Sequence, residues 1–185
     1  MAARDFGAQQ TLHFQGTNTD YFEDTVDVLE TIDFSSVELI VIEHGLNDYY
    51  SGVPVENEED PWDERTFTGA LRHSLKALKK ANPDMRILLV TPTYTWYEDL
   101  GITCEEYDVG YGRQEDYVRA EMEVADEFGV EVLDVYHNVF PHETWEDRQR
   151  YTMDGFHPNE AGRTLLAGMI AEYLQQEPAG RENRM

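Results

Sequence analysis

One cysteine, seven prolines, four serines and only 14 lysines and arginines in 185 residues set the first limits on what this chain can do. A lone Cys104 cannot close an internal disulfide or build a cysteine-based zinc site. It lies in an acidic loop, where nothing activates a thiol. The shortage of basic residues against 38 acids leaves a net charge of −24. Such a surface repels nucleic acid and anionic membranes, so neither is expected as a partner. The acids are spread along the chain, the pattern of a solubilising surface, with adaptation to high salt and a metal-binding surface as the lesser alternatives. No apolar run approaches the roughly 20 residues needed to cross a bilayer. The segment Met1-Ala2-Ala3-Arg4-Asp5-Phe6-Gly7 lacks the apolar stretch of a secretory signal, which points to the cytoplasm. Internal repeats, low-complexity tracts and Pro/Gly-rich linkers are also missing.

What is present suits a packed domain. Hydrophobic residues make up 41% and aromatics 12%, and a chain of this length buries roughly two-thirds of its unfolded surface in one domain. Three nearly continuous apolar runs, Val37 to Ile42, Met85 to Thr91 and Val130 to Val135, read as strands covered on both faces, as in a parallel sheet. Helical stripes alternate with them. Phe22, Val26, Leu29 and Ile32 mark one over Thr19 to Ile32. Phe67, Leu71, Leu75 and Leu78 mark another over Asp63 to Asn82, stopped by Asn82-Pro83. Tyr117, Glu121, Val124, Ala125 and Phe128 give a looser stripe that Gly129 ends. Leu165, Leu166, Met169, Ile170 and Tyr173 form the last, over Asn159 to Gln175. The alternation predicts an α/β layered domain with right-handed crossovers. Long connections from Asn47 to Trp62, Pro92 to Gly112 and Tyr136 to Pro158 all follow strand ends where ligands bind in open parallel sheets.

Two distant segments carry chemistry. Gly45-Leu46-Asn47-Asp48 follows the first apolar run. Gly45 permits a tight backbone, and Asn47 offers a neutral NH₂ donor suited to charge developing on a carbonyl oxygen. Asn-Asp after a strand is also ordinary turn chemistry. Asp154-Gly155-Phe156-His157-Pro158-Asn159 precedes the last helix. Its spacing lets the Asp154 carboxylate fix one imidazole nitrogen of His157, freeing the other as a base. The bland alternative is a capping segment with an incidental histidine. Among the other histidines, His44 reads as packed, His13 and His73 show no partner, and His137 with His142, near Asp134 and Glu143, reads as a solvated loop rather than a metal site. Trp96, Tyr97, Tyr107 and Tyr111 could wall an acyl or sugar site, with loop packing as the default.

A G-x-N-D after a buried strand and a D-x-x-H before a C-terminal helix resemble the third and fifth signature blocks of the SGNH (GDSL-type) serine esterases and lipases. Val37 to Asp48 is similar to the family's third strand and its block, Asn82 to Pro92 to its fourth strand, and Tyr151 to Gly162 to its last block and helix. The resemblance runs from about Thr19 to Leu174 and implies a flavodoxin-like three-layer α/β sandwich around a parallel sheet. It also implies a serine esterase or acylhydrolase acting on a small or carbohydrate-linked ester, with no cofactor and no metal. His157 would be the base, Asp154 its orienter, Asn47 the oxyanion donor and Gly45 its support. The family's nucleophile stands in a Gly-Asp-Ser turn after the first strand, and no serine here matches it. Ser35 and Ser36 precede a strand at its wrong end, Ser74 is inside a helix, and Ser51 lacks a strand-to-helix elbow. Gly7 and Gly16 do not match the family's second block. The expectation is an N-terminally incomplete domain, inactive alone, whose first strand is an exposed edge open to homo-oligomerisation. The contrasting reading is a non-catalytic binding module on the same fold.

Overall fold

A computed structural model describes Leu29, residues 31–138 and residues 144–176. The stripe over Thr19 to Ile32, together with Gly7, Gly16, His13, His142 and Glu143, lies wholly or largely outside the described residues. Within them, three strands form a parallel sheet in the order β1-β2-β5: β1 (Leu39–Glu43), β2 (Arg86–Val90) and β5 (Glu131–Leu133). Leu39 pairs with Arg86 and Glu43 with Val90, while Leu88 to Val90 pair with Glu131 to Leu133.

Helix α2 (Phe67–Ala81) starts where Thr66 accepts the Gly69 N–H at 3.1 Å, so Asp63 to Arg65 form a turn ahead of it. Its Leu71, Leu75 and Leu78, with Val124 and Ala125 of α3 (Gln114–Phe128), pack on Ile40, Ile42, Ile87 and Leu89. The opposite sheet face, Leu88 and Val90, is covered by Leu166 of α5 (Glu160–Gln175). Helices on both sides of a parallel sheet give the expected three layers.

Two expectations fail at the edges of this sandwich. β1 is not covered on both faces: its residues alternate between exposed and buried, leaving Leu39 36% and Val41 40% exposed. β5 is likewise only half-covered along its length, whereas the α5 stripe packs as read, with Leu166 buried and Leu165, Met169, Ile170 and Tyr173 half-buried against the cluster of Leu88 and Val90. The continuous apolar run of β1 therefore reads as a doubly covered strand, while its second face is only partly covered.

The long connections also hold more structure than their composition suggests. α1 (Leu46–Ser51) follows β1 directly, and α4 (Trp145–Tyr151) precedes the Asp154 turn. A short antiparallel pair, β3 (Trp96–Tyr97) with β4 (Ile102–Thr103), sits in the loop after β2. These are short and fixed by tertiary contacts, so they leave no periodic signal in sequence. No described helix is long and apolar enough to cross a membrane.

Candidate active site

At the carboxyl end of β1 the chain turns at once into α1. Gly45 makes that turn with φ at +100°, a conformation side chains rarely adopt. A Cβ there would stand 3.2 Å from the Phe67 ring, so the glycine also admits close packing of α2. Asn47 follows, half-buried, and its amide makes no hydrogen bond within the described residues. Asn47 and Tyr50 lie three apart in α1 and so share one side of it.

The Asp154 turn is held from both ends. Met153 N–H donates to the His157 carbonyl at 2.8 Å, and Thr152 and Pro158 form an isolated bridge. Asn159 caps α5 by accepting the Gly162 N–H at 3.1 Å, and donates to the Arg150 carbonyl at 2.9 Å, which closes the end of α4 on the start of α5. Inside the turn, Asp154 Oδ1 accepts the His157 backbone N–H at 2.8 Å, and Oδ2 meets His157 Nδ1 at 2.7 Å. The other ring nitrogen, Nε2, has no partner among the described residues, and the side chain is 70% exposed. Burial pushes the Asp154 carboxyl up, but the backbone N–H and ring of His157 and the Phe156 N–H outweigh it and bring it down to about 2. Asp154 is therefore an anion at neutral pH, able to hold Nδ1–H and leave Nε2 as the acceptor.

The loop after β2 ties the two segments together. Trp96 N–H donates to the Gly155 carbonyl at 3.1 Å, and the Tyr49 hydroxyl donates to the Tyr107 carbonyl at 2.8 Å. The Tyr50 ring meets the Phe156 ring edge-on at 5.5 Å. Phe156 adjoins His157 in sequence and Tyr50 is one helical turn from Asn47, so Asn47 and the Asp154–His157 pair occupy the same end of the sheet. Gly45 supports the first of these segments from the strand end.

A second pair shows what the turn alone means. Asp134-Val135-Tyr136-His137 repeats the pattern, with His137 Nδ1 at 2.8 Å from Asp134 Oδ2 and its backbone N–H at 3.2 Å from Oδ1. An Asp three residues before a His thus forms this pair wherever the local turn allows. Contact with α1 through Phe156 and Tyr50, rather than the pair itself, distinguishes Asp154–His157. No group of three or more metal-ligating side chains occurs among the described residues, His137 included.

Of the serines, Ser35 lies ahead of β1, its N–H donating to Asp33 at 2.9 Å, Ser74 is buried within α2, and Ser51 is exposed at the end of α1. No serine hydroxyl is bonded to His157 among the described residues. Cys104 is fully buried, and burial pushes its thiol pKa up, which removes it as a nucleophile near neutral pH. His44 is buried as expected, whereas His73, without a visible partner in sequence, bonds through Nε2 to the Trp62 carbonyl at 3.0 Å. Trp96 packs against Trp145 at 6.0 Å, Tyr97 and Tyr107 join the aromatic cluster behind the site, and Tyr111 is 56% exposed.

Two buried acids lie behind Asn47; Glu121 falls in the stripe read for α3, whereas the burial of Asp48 was not legible. Asp48 and Glu121 are each 1% exposed, and Asp48 Oδ1 and Glu121 Oε2 lack hydrogen-bond partners among the described residues. Burial raises both carboxyls well above their usual range, and Asp48, Glu43 and Asp134 add repulsion at Glu121. Such a group binds its proton more tightly folded than unfolded. Its stabilising contribution is complete below the ordinary carboxylate range and is lost as pH rises through the raised value. Glu121→Gln, which cannot ionise, is expected to stabilise the fold at pH 8 by about 1–3 kcal/mol and to flatten the decline in stability from pH 5 to pH 8. Urea unfolding at the two pH values checks this; a glutamine variant less stable at pH 8 would contradict it.

The GDSL-like Lipase/Acylhydrolase family matches residues 2–165. None of the curated proteins matches the chain. Among solved structures, a protein from Lactobacillus plantarum is 25% identical, with a TM-score of 0.66 over 80% of this chain and 71% of the other. A possible lipase from Chitinophaga pinensis is 16% identical, with a TM-score of 0.63 over 84% and 79% of the two chains. The lipase/acylhydrolase from Enterococcus faecalis is 17% identical, with a TM-score of 0.55 over 85% and 72%. With a family match across most of its length and a parallel α/β sandwich shared with these structures, the chain belongs to the GDSL-like lipase/acylhydrolase family.

Proposed function

We propose that this chain carries the base, the orienting acid and the oxyanion amide of a serine ester hydrolase, and that the nucleophile comes from a Gly-Asp-Ser turn that none of its four serines provides. The supporting observation is the 2.7 Å Asp154–His157 pair at the same end of the sheet as Asn47. In the reaction, the serine Oγ attacks the ester carbonyl carbon while His157 Nε2 takes its proton. The Asn47 NH₂ group holds the negative oxygen of the tetrahedral intermediate. Collapse breaks the ester C–O bond, and His157 returns the proton to the departing alkoxide. Water, deprotonated by His157, then releases the acid and regenerates the serine. Asp154 keeps the imidazole in the tautomer that each step needs. No metal or cofactor enters these steps. The substrate is a small or carbohydrate-linked carboxylic ester. Hydrolysis of acetyl and butyryl model esters by the chain supplied with a Gly-Asp-Ser segment, with His157→Ala expected to abolish it and the paired His137→Ala as control, tests the reading. The second reading, a binding module without turnover, is favoured by one observation: no serine hydroxyl meets His157 among the described residues.

Among the described residues, one edge of β1 has no strand partner: β1 pairs only with β2, and Leu39 and Val41 face outward from it. An exposed apolar edge pairs with another chain unless charge prevents it. The isolated chain is expected to self-associate in sedimentation velocity runs despite its charge of −24, and Val41→Lys to shift it toward monomer. A monodisperse monomer of the unsubstituted chain would count against an open edge.

A further inference from the structure

Tyr50 has no task in the chemistry above, yet it is 62% exposed in the middle of the site. Its ring is nonetheless fixed. It lies parallel to Tyr97, with centroids 6.4 Å apart and planes within 9°, and meets Phe156 edge-on at 5.5 Å and 85°. Tyr97, only 7% exposed, meets Phe156 edge-on at 5.0 Å and is braced by Tyr107 at 4.3 Å. Tyr49 closes the cluster from behind at 6.3 Å from Tyr97. The result is a rigid aromatic corner, backed by buried rings, with Tyr50 as its solvent-facing wall. It spans the two functional segments, since Tyr50 is one turn from Asn47 and Phe156 adjoins His157.

We propose that this corner, with Tyr50 as its exposed face, is the binding platform for a neutral sugar ring on the alcohol side of the ester. The proposal rests on Asn47 and His157 marking the reacting site. An open wall favours a ligand that gains from one-sided contact. An alkyl chain gains in proportion to the area taken from water and calls for an enclosing slot, which a ring more than half exposed does not make. A pyranose offers a flat face of C–H groups, each slightly positive, to the negative face of an electron-rich phenol ring, while its hydroxyls stay in water. The surrounding charge points the same way. A chain with net charge −24 disfavours anionic ligands and is indifferent to a neutral polyol. Pre-fixed rings cost little conformational entropy on binding.

Binding is read without turnover, by ligand-observed NMR titration of the 185-residue chain with methyl β-glucopyranoside, with benzyl alcohol and butyramide as comparators. The sugar is expected to bind in the millimolar range and the two comparators at least about fivefold more weakly. Tyr50→Leu should weaken sugar binding about fivefold to tenfold, while Tyr50→Phe, which keeps the ring, should stay within about twofold. Thermal unfolding of both variants shows whether the fold survives; Tyr50 is exposed and its loss should leave the fold intact. Preference for benzyl alcohol or butyramide, no binding of any probe, or sugar binding indifferent to Tyr50→Leu would each overturn the platform. Sugar binding by a chain whose Gly-Asp-Ser-supplied form hydrolyses no ester would overturn the hydrolase reading and leave the platform standing.

Discussion

Gly155→Val is expected to destabilise the fold by about 2–4 kcal/mol and to detach the His157 turn from the loop that holds it. Gly155 has φ of +88°, where any other residue is strained, and a Cβ there would fall 2.3 Å from the Trp96 carbonyl oxygen. That oxygen belongs to backbone and cannot rotate away. The same contact places the Gly155 carbonyl 3.1 Å from Trp96 N–H, so relieving the clash breaks the bond that joins the two segments. Phe156 would then leave Tyr50 and Tyr97, and His157 would move with it. Denaturant unfolding gives the energy, and loss of the Asp154-bonded imidazole N–H resonance gives the displacement. A valine variant that unfolds within about 0.5 kcal/mol of the parent would show that the turn does not depend on this packing.

The second large effect concerns rate. On the proposed reading, in which none of the four serines is the nucleophile, the chain alone is expected to hydrolyse model esters near background, about 10⁴- to 10⁶-fold below a complete enzyme, because members of a catalytic triad act as a unit. His157→Ala and Asn47→Ala should then change little, since no serine proton awaits transfer and no alkoxide forms. Ser51→Ala should also be neutral, because that hydroxyl is exposed at the end of α1 and bonds to no described residue. Continuous assays with acetyl and butyryl esters measure all four proteins. Robust hydrolysis lost on His157→Ala would mean that a nucleophile is present after all.

The layering of the fold was legible because period and run length report burial. Leu71, Leu75 and Leu78 repeat at helical spacing and all lie in the core, and the run Arg86 to Val90 is the central strand buried on both faces. The run through Leu39 and Val41 has the same composition but a different environment, since apolar content does not state whether a neighbouring layer exists. α1 and α4 escaped notice because helices of six and seven residues show less than two turns of pattern. At the site, the residue types of Asn47, Asp154 and His157 and their order were readable, and so was the pairing of Asp154 with His157, since an i, i+3 turn fixes it locally. The aromatic bridge was only half readable: Tyr97 and Tyr107 stood out as a cluster, but Tyr50 and Phe156 meet only through the fold. Of the buried acids, Asp48 was hidden, because Asn-Asp after a strand also reads as turn chemistry. Glu121 was readable as a core position in its stripe, but not that its Oε2 has no partner among the described residues.

The most direct test supplies the Gly-Asp-Ser segment that the proposed function calls for. A polypeptide carrying a Gly-Asp-Ser strand-turn segment, fused ahead of Met1 or added as a separate chain, is mixed with the 185-residue protein, and model-ester hydrolysis is followed. Activity is expected to rise by several orders of magnitude over either part alone, and to fall back when the added Ser is replaced by Ala, or when His157→Ala or Asp154→Asn is introduced, but not with His137→Ala. Complemented protein that stays at background, or activity that is indifferent to His157, would contradict the assignment of Asn47, Asp154 and His157 as the surviving part of a serine hydrolase site.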